Sequence, residues 1–390
     1  MQNKSVLCTY ITRQIDSNLF MSSTIFNGLQ QAGYEVDILF IGYREVVDVF
    51  KQKYGHYFNN VYEIEINKGW LTKYCKSEKL KILYSYYRNF VMDAFSRPYS
   101  WSKVNDAVIK QYDTVLSFVP PAISGLLMKD LRKLPVLKNA RFILFWTDSL
   151  SLGRCDRVED MPKSRFLHKW LEGRILEVCD KAVFSYPLLA ETEKQLHPTC
   201  ANKITWSDIS YVEHPLDKGK PNNAKVRIGN FGAYQRRVRN IDPFLGALKY
   251  FPNVQFVMRG DADFCIEESL YPNLDIEYGR RSADEIERLE AECDILISIA
   301  GFSGVTHPSG KTFYYASYNK PIVHIGDGKN NGFFKKYIEG FEGRWIVCDN
   351  NVESIVKAFR KAIETLPTFE LKIPKRMEPV NIACALIEYK

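Results

Sequence analysis

Apolar and polar positions divide the chain into short apolar runs and segments with helical spacing. The run at residues 5–11 predicts a buried strand, and the next segment predicts a helix because Met21, Ile25 and Leu29 fall at i, i+4 and i+8. Gly33 stands where a helix commonly ends. Further strands in this half are predicted at residues 35–41, 61–66, 114–119, 142–146, 182–185 and 209–212.

The alternation starts again after a polar, turn-rich stretch at residues 218–225, which indicates a linker between two domains. Ser282 is the predicted N-cap of a helix in this second half. Strands that alternate with helices are typical of a parallel sheet covered on both faces. The predicted fold class is therefore α/β, with two doubly wound, Rossmann-like domains. The other predicted elements are strands at 226–231, 254–258, 295–299 and 322–325, and helices at 243–250, 311–318, 352–365 and 381–389.

Length and composition agree with two folded domains and indicate the cellular compartment. A chain of 390 residues with 46% hydrophobic residues suits two folded domains. Nine cysteines are scattered without a C-x-x-C pair, which argues against a disulfide framework or a cysteine zinc site and favours a reducing compartment. The pattern predicts neither a signal peptide nor a membrane-spanning segment. We therefore expect a cytoplasmic protein, and a net charge of +7 gives no reason to expect a nucleic-acid partner.

Residues 228–240 place a glycine at the end of a predicted strand and several arginines after it. Gly232 has no side chain, so the backbone there can approach phosphate oxygens closely. Arg236 and Arg239 supply guanidinium groups, which bind phosphate through two hydrogen bonds at once. We therefore expect a phosphate site that also includes Tyr234, with a solvated basic turn as the alternative.

Residues 308–323 carry the second candidate for phosphate binding. Ser309, Gly310 and Lys311 are predicted to open a helix, which would offer N–H groups, a favourable dipole and an ammonium group to an anion. Tyr314 lies one turn further on, and His307 lies just before this loop. The alternative is a capped helix that only packs against the sheet.

Four segments resemble glycosyltransferase family 4, whose members are retaining, nucleotide-sugar-dependent enzymes with the GT-B fold. The resemblance implies that the two domains face each other across a cleft. It also implies an acceptor-binding domain at residues 1–217, the linker at 218–225 and a nucleotide-sugar-binding domain at 226–370. A C-terminal helix within residues 371–390 would then cross back to the first domain. The four segments are residues 28–39, 212–217, 228–240 and 308–323.

The resemblance also assigns roles to residues in the two loops. In the family, a basic residue seven positions after the strand-ending glycine contacts the donor diphosphate, and Arg239 stands at that position relative to Gly232. The family's arginine after the glycine is Ala233 here, and the glutamate that binds the donor ribose is replaced by Tyr314. The resemblance implies that Arg239 and Lys311 stabilise the leaving diphosphate, with no cofactor besides the donor and no metal.

Candidates for chemistry on the acceptor side are fewer. Asp148 follows a predicted strand and is placed to orient or deprotonate an acceptor hydroxyl, with a helix N-cap as the alternative. The family often has a histidine near this point, where this chain has Trp146, which cannot do acid–base work. His307 is expected to contact the transferring sugar. The pair Asp261 and Asp263 is not expected to hold a metal.

Residues 68–103 are rich in basic and aromatic side chains. Such a segment can lie on an anionic lipid surface, clamp a polyanion or form packed helices with snorkelling lysines. The residues alone leave these three alternatives open. The resemblance favours peripheral contact with the inner face of a membrane, because many GT-B enzymes elongate lipid-linked glycans there.

These features together predict a hexosyltransferase-type enzyme. It would move a sugar from a nucleotide diphosphate sugar to a glycan or lipid-linked glycan in bacterial-type cell-surface polysaccharide synthesis. Two alternatives remain: a non-hydrolysing nucleotide-sugar epimerase, which shares the fold, and a catalytically silent nucleotide- or glycan-binding protein. The sequence lacks a G-x-S-x-G elbow, a G-x-G-x-x-G loop after the first strand and a P-loop, which argues against hydrolases, dehydrogenases and NTPases.

Overall fold

The chain divides into two compact units, and each is described by itself. The computed structural model describes residues 4–13, 17–66, 98–119, 121–152, 165–212, 214, 224–232, 234, 239–279, 281–301, 310–326, 334–335, 338–341, 344–370 and 372–388. Unit 1 comprises Met1–Ser210 with Arg376–Lys390, and unit 2 comprises Tyr211–Lys375. The division at Ser210 falls before the predicted linker, most of which lies outside the described residues.

Unit 1 is built on a seven-stranded parallel sheet. Its strands are β1 (Ser5–Ile11), β2 (Glu35–Gly42), β3 (Asn60–Glu65), β4 (Thr114–Val119), β5 (Arg141–Trp146), β6 (Lys181–Phe184) and β7 (Ile204–Trp206). Their order across the sheet is β3-β2-β1-β4-β5-β6-β7, so the direction of winding reverses between β1 and β4. The central strands are buried nearly throughout, as parallel strands are when helices cover both faces of the sheet.

The helices of unit 1 return the chain from the end of one strand to the start of the next. Within the described residues they are α1 (Ser17–Gln31), α2 (Arg44–Tyr54), α3 (Trp101–Ala107), α4 (Ala122–Leu131), α5 (Phe166–Glu177) and α6 (Pro187–Leu196), followed at the end of the chain by α11 (Pro379–Ile387).

The last helix, α11, packs on the first helix, α1, within unit 1. The two backbones come close at Gly28, where a Cβ atom would lie 2.1 Å from the carbonyl oxygen of Pro379. Lys181 holds the other end of α11, because its Nζ donates to the carbonyl oxygen of Ala385 at 3.0 Å. A cation at the C-terminus of a helix satisfies carbonyl groups that have no partner inside the helix.

Unit 2 is built on a six-stranded parallel sheet. Its strands are β8 (Arg227–Phe231), β9 (Gln255–Gly260), β10 (Leu274–Tyr278), β11 (Ile295–Ile299), β12 (Ile322–Gly326) and β13 (Trp345–Asp349). Their order is β10-β9-β8-β11-β12-β13, which repeats the doubly wound arrangement of unit 1. Its helices within the described residues are α7 (Asp242–Leu248), α8 (Ala283–Ala291), α9 (Gly310–Tyr314) and α10 (Val352–Thr365).

The core of unit 2 centres on four phenylalanines from α7, the turn after it, β9 and α10. Phe244 and Phe251 each meet Phe256 and Phe359 edge-on, with ring centroids 5.7–6.4 Å apart. Edge-to-face contact is the arrangement that the quadrupoles of aromatic rings favour. The predicted N-cap of α8 is confirmed, because Ser282 Oγ accepts from the backbone N–H of Glu285 at 3.2 Å.

The predicted fold class is confirmed, since both units are α/β with parallel, doubly wound sheets. The strand predicted at residues 209–212 is wrong. Ile209 and Val212 are buried without joining the sheet, and β7 lies earlier, where Ile204 pairs with Ala182 of β6. The strands β10 and β13 were not predicted.

The helix predicted at residues 311–318 is shorter than expected. It consists of α9 and a 3₁₀ turn at Tyr315–Ser317. Arg344 is fully buried and donates to the carbonyl oxygens of Tyr315, at 2.7 Å, and of Ala316 and Tyr318. The guanidinium takes up carbonyl groups that a continuing helix would have bonded, so the helix ends here.

In the parts of the chain that the structure describes, no helix has the length and hydropathy that crossing a bilayer requires. Most of the basic and aromatic segment 68–103 lies outside the described residues, which resume at Pro98. Peripheral membrane contact through this segment stays a prediction.

The close packing of α1 on α11 gives a first prediction. Gly28→Ala should lower the free energy of unfolding of unit 1 by about 1–3 kcal/mol, because the added methyl group must push α11 away. Gly55→Ala is the matched control, since the nearest atom to a Cβ there is 3.9 Å away and φ is −57°. Denaturant unfolding measures both variants, and equal stability of the two would contradict the packing described.

A buried histidine of β12 gives a second prediction. Burial lowers the pKa of His324 from 6.5 to about 3, and its ring stacks on Phe334 at 3.7 Å. Between those pH values the unfolded chain binds a proton that the folded chain does not. Stability should therefore fall as the pH falls from 6.5 towards 3, by up to about 1.4 kcal/mol per pH unit. His324→Phe keeps a ring on Phe334 and should give a shallower fall, which unfolding curves at several pH values test; identical pH profiles would contradict it.

Candidate functional site

The carboxyl ends of β8 and β11 mark the point in unit 2 where the direction of winding reverses. β8 lies between β9 and β11, so the connections after β8 and after β11 leave on opposite sides of the sheet. A crevice at such a point is where doubly wound domains bind ligands. Three residues predicted from the sequence are brought together here: Gly232, Arg239 and Lys311.

Two glycines form the floor of the site. Gly232 follows β8 with φ of +129°, and Gly260 ends β9 with φ of +150°. The N–H of Gly232 donates to the carbonyl oxygen of Arg259 at 2.9 Å, which ties the two strand ends together. A Cβ on Gly260 would lie 1.7 Å from the carbonyl oxygen of Gly232, so the two loops touch through bare backbone. Gly260 had not been singled out from the sequence.

Lys311 lies directly beside the first of these glycines. A Cβ on Gly232 would be 3.0 Å from both Cε and Nζ of Lys311, so a side chain there would press on the end of the lysine. Burial lowers the pKa of Lys311. The negative charge of Glu290 raises this pKa, and the positive charge of Arg239 lowers it further. An anion bound at this point would favour the charged amine, because it replaces the hydration that burial removes.

Arg239 approaches the same place from the other side of the crevice. Its Nε donates to the carbonyl oxygen of Ile299 at 3.0 Å, which fixes the guanidinium at the carboxyl end of β11. Its charge is close enough to lower the pKa of Lys311. Two cations from separate segments therefore adjoin one backbone loop, which is a suitable arrangement for a diphosphate.

Tyr234 holds the loop after β8 through hydrogen bonds inside the protein. The side chain is buried, and its hydroxyl donates to the carbonyl oxygen of Asn230 and to that of Arg259 at 3.3 Å. The Asn230 side chain in turn donates to the carbonyl oxygen of Ile297 at 3.4 Å, which links β8 to β11. The sequence had suggested Tyr234 as a ligand of the donor. The structure instead uses its hydroxyl inside the protein, so its contribution is to hold the loop.

A buried carboxylate beneath the site was missed by sequence reasoning. Glu290 of α8 is 1% exposed and accepts a hydrogen bond from the Tyr318 hydroxyl at 2.9 Å. Burial raises the pKa of Glu290, whereas Lys311 and the hydroxyls of Tyr318, Tyr315 and Tyr314 lower it. The signal available in the sequence was the run of tyrosines, because a buried tyrosine hydroxyl needs a polar partner.

Tyr314 stands above this carboxylate and is half-buried. Its backbone carbonyl oxygen lies 2.5 Å from Nε2 of His214, whose ring stacks on Tyr318 at 3.7 Å. Hydrogen bonds with Tyr318 and Glu290 hold its hydroxyl. The contact with a donor ribose that the sequence suggested for Tyr314 stays a prediction.

Of the remaining candidates, Arg236, His307 and Ser309 lie outside the described residues and stay predictions. Gly310 is the first residue of α9 and directly precedes Lys311. Asp148 belongs to unit 1, where it is exposed just after β5. A cavity of about 530 Å³ in unit 2 lies at the opposite edge of the sheet, at the amino ends of β9 and β10, where doubly wound domains do not bind ligands.

Comparison with solved structures places this arrangement among known folds. The catalytic domain of starch synthase IV from Arabidopsis thaliana, solved with ADP and acarbose, matches with a TM-score of 0.56 and 12% identity over 98% of this chain and 95% of that one. A glycosyltransferase from Rickettsia africae matches with a TM-score of 0.55 and 14% identity over 99% and 93%. The chain has the GT-B fold.

A UDP-N-acetylglucosamine 2-epimerase also matches, with a TM-score of 0.50 and 10% identity over 97% of this chain and 94% of that one. At these identities the likeness shows the fold alone. No protein-family model and no curated protein matches the sequence.

The paired glycines give a third prediction. Gly260→Ala should cost about 1–3 kcal/mol of stability for its positive φ and about 1–3 kcal/mol more for the clash with Gly232. Gly279→Ala is the matched control, because its φ is +106° but no atom lies within 4 Å of a Cβ there. Denaturant unfolding should therefore show Gly260→Ala to be the less stable variant. Equal losses would mean that the two loops do not touch.

Proposed function

We propose that this protein is a glycosyltransferase that binds a nucleotide diphosphate sugar in unit 2. The observation that carries the proposal is the convergence of the Gly232 backbone, Lys311 and Arg239 where the winding of a GT-B fold reverses. The bare backbone admits phosphate oxygens, and the two cations supply the charge that a diphosphate needs. The resemblance to glycosyltransferase family 4 supports the same site.

In the proposed mechanism, Lys311 and Arg239 act on the leaving group. Negative charge grows on the diphosphate as its bond to the sugar breaks, and preorganised cations stabilise that charge more than they stabilise the ground state. Transfer with retention of configuration and without a metal is proposed from the family resemblance. A pair of carboxylates of the glycosidase type is not needed for this chemistry.

Unit 1 is proposed to hold the acceptor. Asp148 is exposed at the carboxyl end of β5, which is the edge where doubly wound domains bind ligands. It is proposed to orient or deprotonate the acceptor hydroxyl, with His307 at the transferring sugar and Tyr314 at the donor ribose. The acceptor is proposed to be a glycan or lipid-linked glycan of a bacterial-type cell surface, reached from the inner face of a membrane through residues 68–103.

A second candidate is a nucleotide-sugar epimerase, which the match to a UDP-N-acetylglucosamine 2-epimerase favours at the level of the fold. Incubation of the full chain with UDP-, GDP- and dTDP-sugars separates the two. Slow donor hydrolysis or sugar transfer supports the glycosyltransferase, and interconversion of donors supports the epimerase. Binding without turnover would identify a catalytically silent protein on the same scaffold.

The donor site gives a fourth prediction. Lys311→Ala and Arg239→Ala should each lower turnover of the donor by about 100–1000-fold, the loss that follows removal of one group that stabilises transition-state charge. Lys249→Ala is the matched control, since Lys249 lies at the end of α7 beside Tyr250, at the cavity on the opposite edge of the sheet. Thermal unfolding checks that all three variants are folded. Wild-type turnover in Lys311→Ala and Arg239→Ala would overturn the donor site.

A further inference from the structure

A buried polar cluster lies in unit 1, where α5, α6 and the loop after β5 meet. Glu172 of α5 is completely buried and accepts hydrogen bonds from the loop. The N–H of Leu150 donates to its Oε1 at 2.8 Å and the Ser149 hydroxyl donates to the same oxygen at 3.3 Å. The Ser151 hydroxyl donates to Oε2. These donors satisfy Glu172 as a carboxylate.

Two further side chains of α6 and its C-terminus point into the same cluster. Glu193 and His197 are spaced i, i+4, so they lie on one face of the helix, and both are buried. His197 Nε2 lies 3.3 Å from Oε2 of Glu172 and 3.7 Å from Oε2 of Glu193. Glu193 is 0% exposed, and no donor reaches its carboxylate oxygens with good hydrogen-bond geometry, although the Ser149 hydroxyl and Glu172 are near enough to affect its pKa.

The charges of this cluster require either a bound cation or a proton on one of the two carboxylates. Two carboxylates are buried side by side, and His197 can carry at most one positive charge between them. A buried charge is tolerated when it is paired or coordinates a metal, and two like charges in one site are strongly unfavourable. One potential ligand atom from each of Glu172, Glu193 and His197 lies within 4.8 Å of the others. The distances of 3.3 and 3.7 Å from His197 Nε2 to the two carboxylate oxygens are close to the separation of about 3.3–3.6 Å expected between two ligands about 2.0–2.2 Å from one tetrahedral ion.

We propose that Glu172, Glu193 and His197 bind a divalent metal ion, and that this ion is Zn²⁺. Imidazole nitrogen with carboxylate oxygen is a donor set that zinc accepts, and because zinc takes four ligands, these three side chains leave one position for a further donor. Ca²⁺ takes six to eight oxygen ligands and Mg²⁺ keeps several waters, and neither requirement is met by three enclosed side chains. The site is distinct from the candidate donor site, which belongs to unit 2.

The surroundings of the three ligands position them for such an ion. The serine hydroxyls and the Leu150 N–H orient Glu172 in the way that partners of metal ligands do. Gly173 leaves space for the histidine, because a Cβ there would be 3.3 Å from Nδ1 of His197. The ion would join α5 and α6 to the loop that directly follows Asp148.

A proton on Glu193 is the competing explanation. Burial and the neighbouring Glu172 raise the pKa of Glu193 well above its usual range, so a neutral carboxyl group would also relieve the repulsion. The two explanations differ in what they predict for added metal. Only the metal site makes stability depend on Zn²⁺.

The fifth prediction tests this site with the full chain, stripped of metal by a chelator and titrated with Zn²⁺. Wild type should bind one Zn²⁺ with a melting temperature that rises with Zn²⁺ concentration. Glu193→Gln keeps the shape and removes the charged ligand, so its affinity should fall by more than about 100-fold and its melting temperature should not respond. Ser151→Ala, which removes only a partner of Glu172, should lose about 10–100-fold in affinity.

The nine cysteines are present in all of these proteins and serve as an internal control. Replacement of Zn²⁺ by Co²⁺ should give no thiolate-to-cobalt charge-transfer band, because the proposed ligands are oxygen and nitrogen. Equal Zn²⁺ binding by wild type and Glu193→Gln would overturn the proposal. So would a wild-type melting temperature that ignores Zn²⁺, in which case a protonated Glu193 satisfies the cluster. Because no readout involves turnover, the result is independent of the proposed function.

Discussion

The candidate donor site depends on one constraint: a lysine amine lies directly against the backbone of a glycine. Lys311 lies where a side chain on Gly232 would press on it, and the absence of a side chain on Gly260 lets the two strand ends touch. Burial removes water from around the amine, and this loss of hydration lowers its pKa. An anionic ligand is the natural partner of a cation prepared in this way, and the neighbouring Arg239 adds a second charge to the same loop.

Buried charges that end helices support this arrangement. Lys320 is 1% exposed and its amine donates to the carbonyl oxygens of Glu290, Ala291 and Cys293 at 2.7–2.8 Å, which closes the C-terminus of α8. Arg344 does the same for the segment after α9. Each buried cation satisfies several carbonyl groups at once, and a buried ion without such bonds would be strongly destabilising. These bonds therefore fix the C-terminal end of α8, the helix of Glu290. They also fix the segment that follows α9, the helix of Lys311.

The parts that could be predicted from the sequence are those in which local pattern decides the structure. The bounds of β1 and β4 match the prediction because both strands are mostly apolar and almost entirely buried in the middle of a parallel sheet. The edge strand β10 (Leu274–Tyr278) alternates apolar and acidic residues over only a few positions, and β13 is equally short. Gly232, Arg239 and Lys311 were predicted from the chemistry of phosphate and from the family resemblance, and the structure brings them together. Three features join residues that are far apart in the chain: the Gly260 contact, the Glu290 cluster and the Glu172–His197 cluster. A local sequence pattern therefore does not predict them.

The packing of α11 on α1 makes the two units unequal as the chain is synthesised. Unit 2 is one continuous stretch, so all of its strands are synthesised before residues 376–388. Unit 1 has its sheet early but lacks the helix that covers α1 until residues 376–388 have been made. Until then, the apolar face of α1 around Gly28 is open to solvent or to chaperones. The later unit in sequence thus has its whole segment synthesised before the earlier unit has its last helix, whereas domains usually become complete in order from the N-terminus.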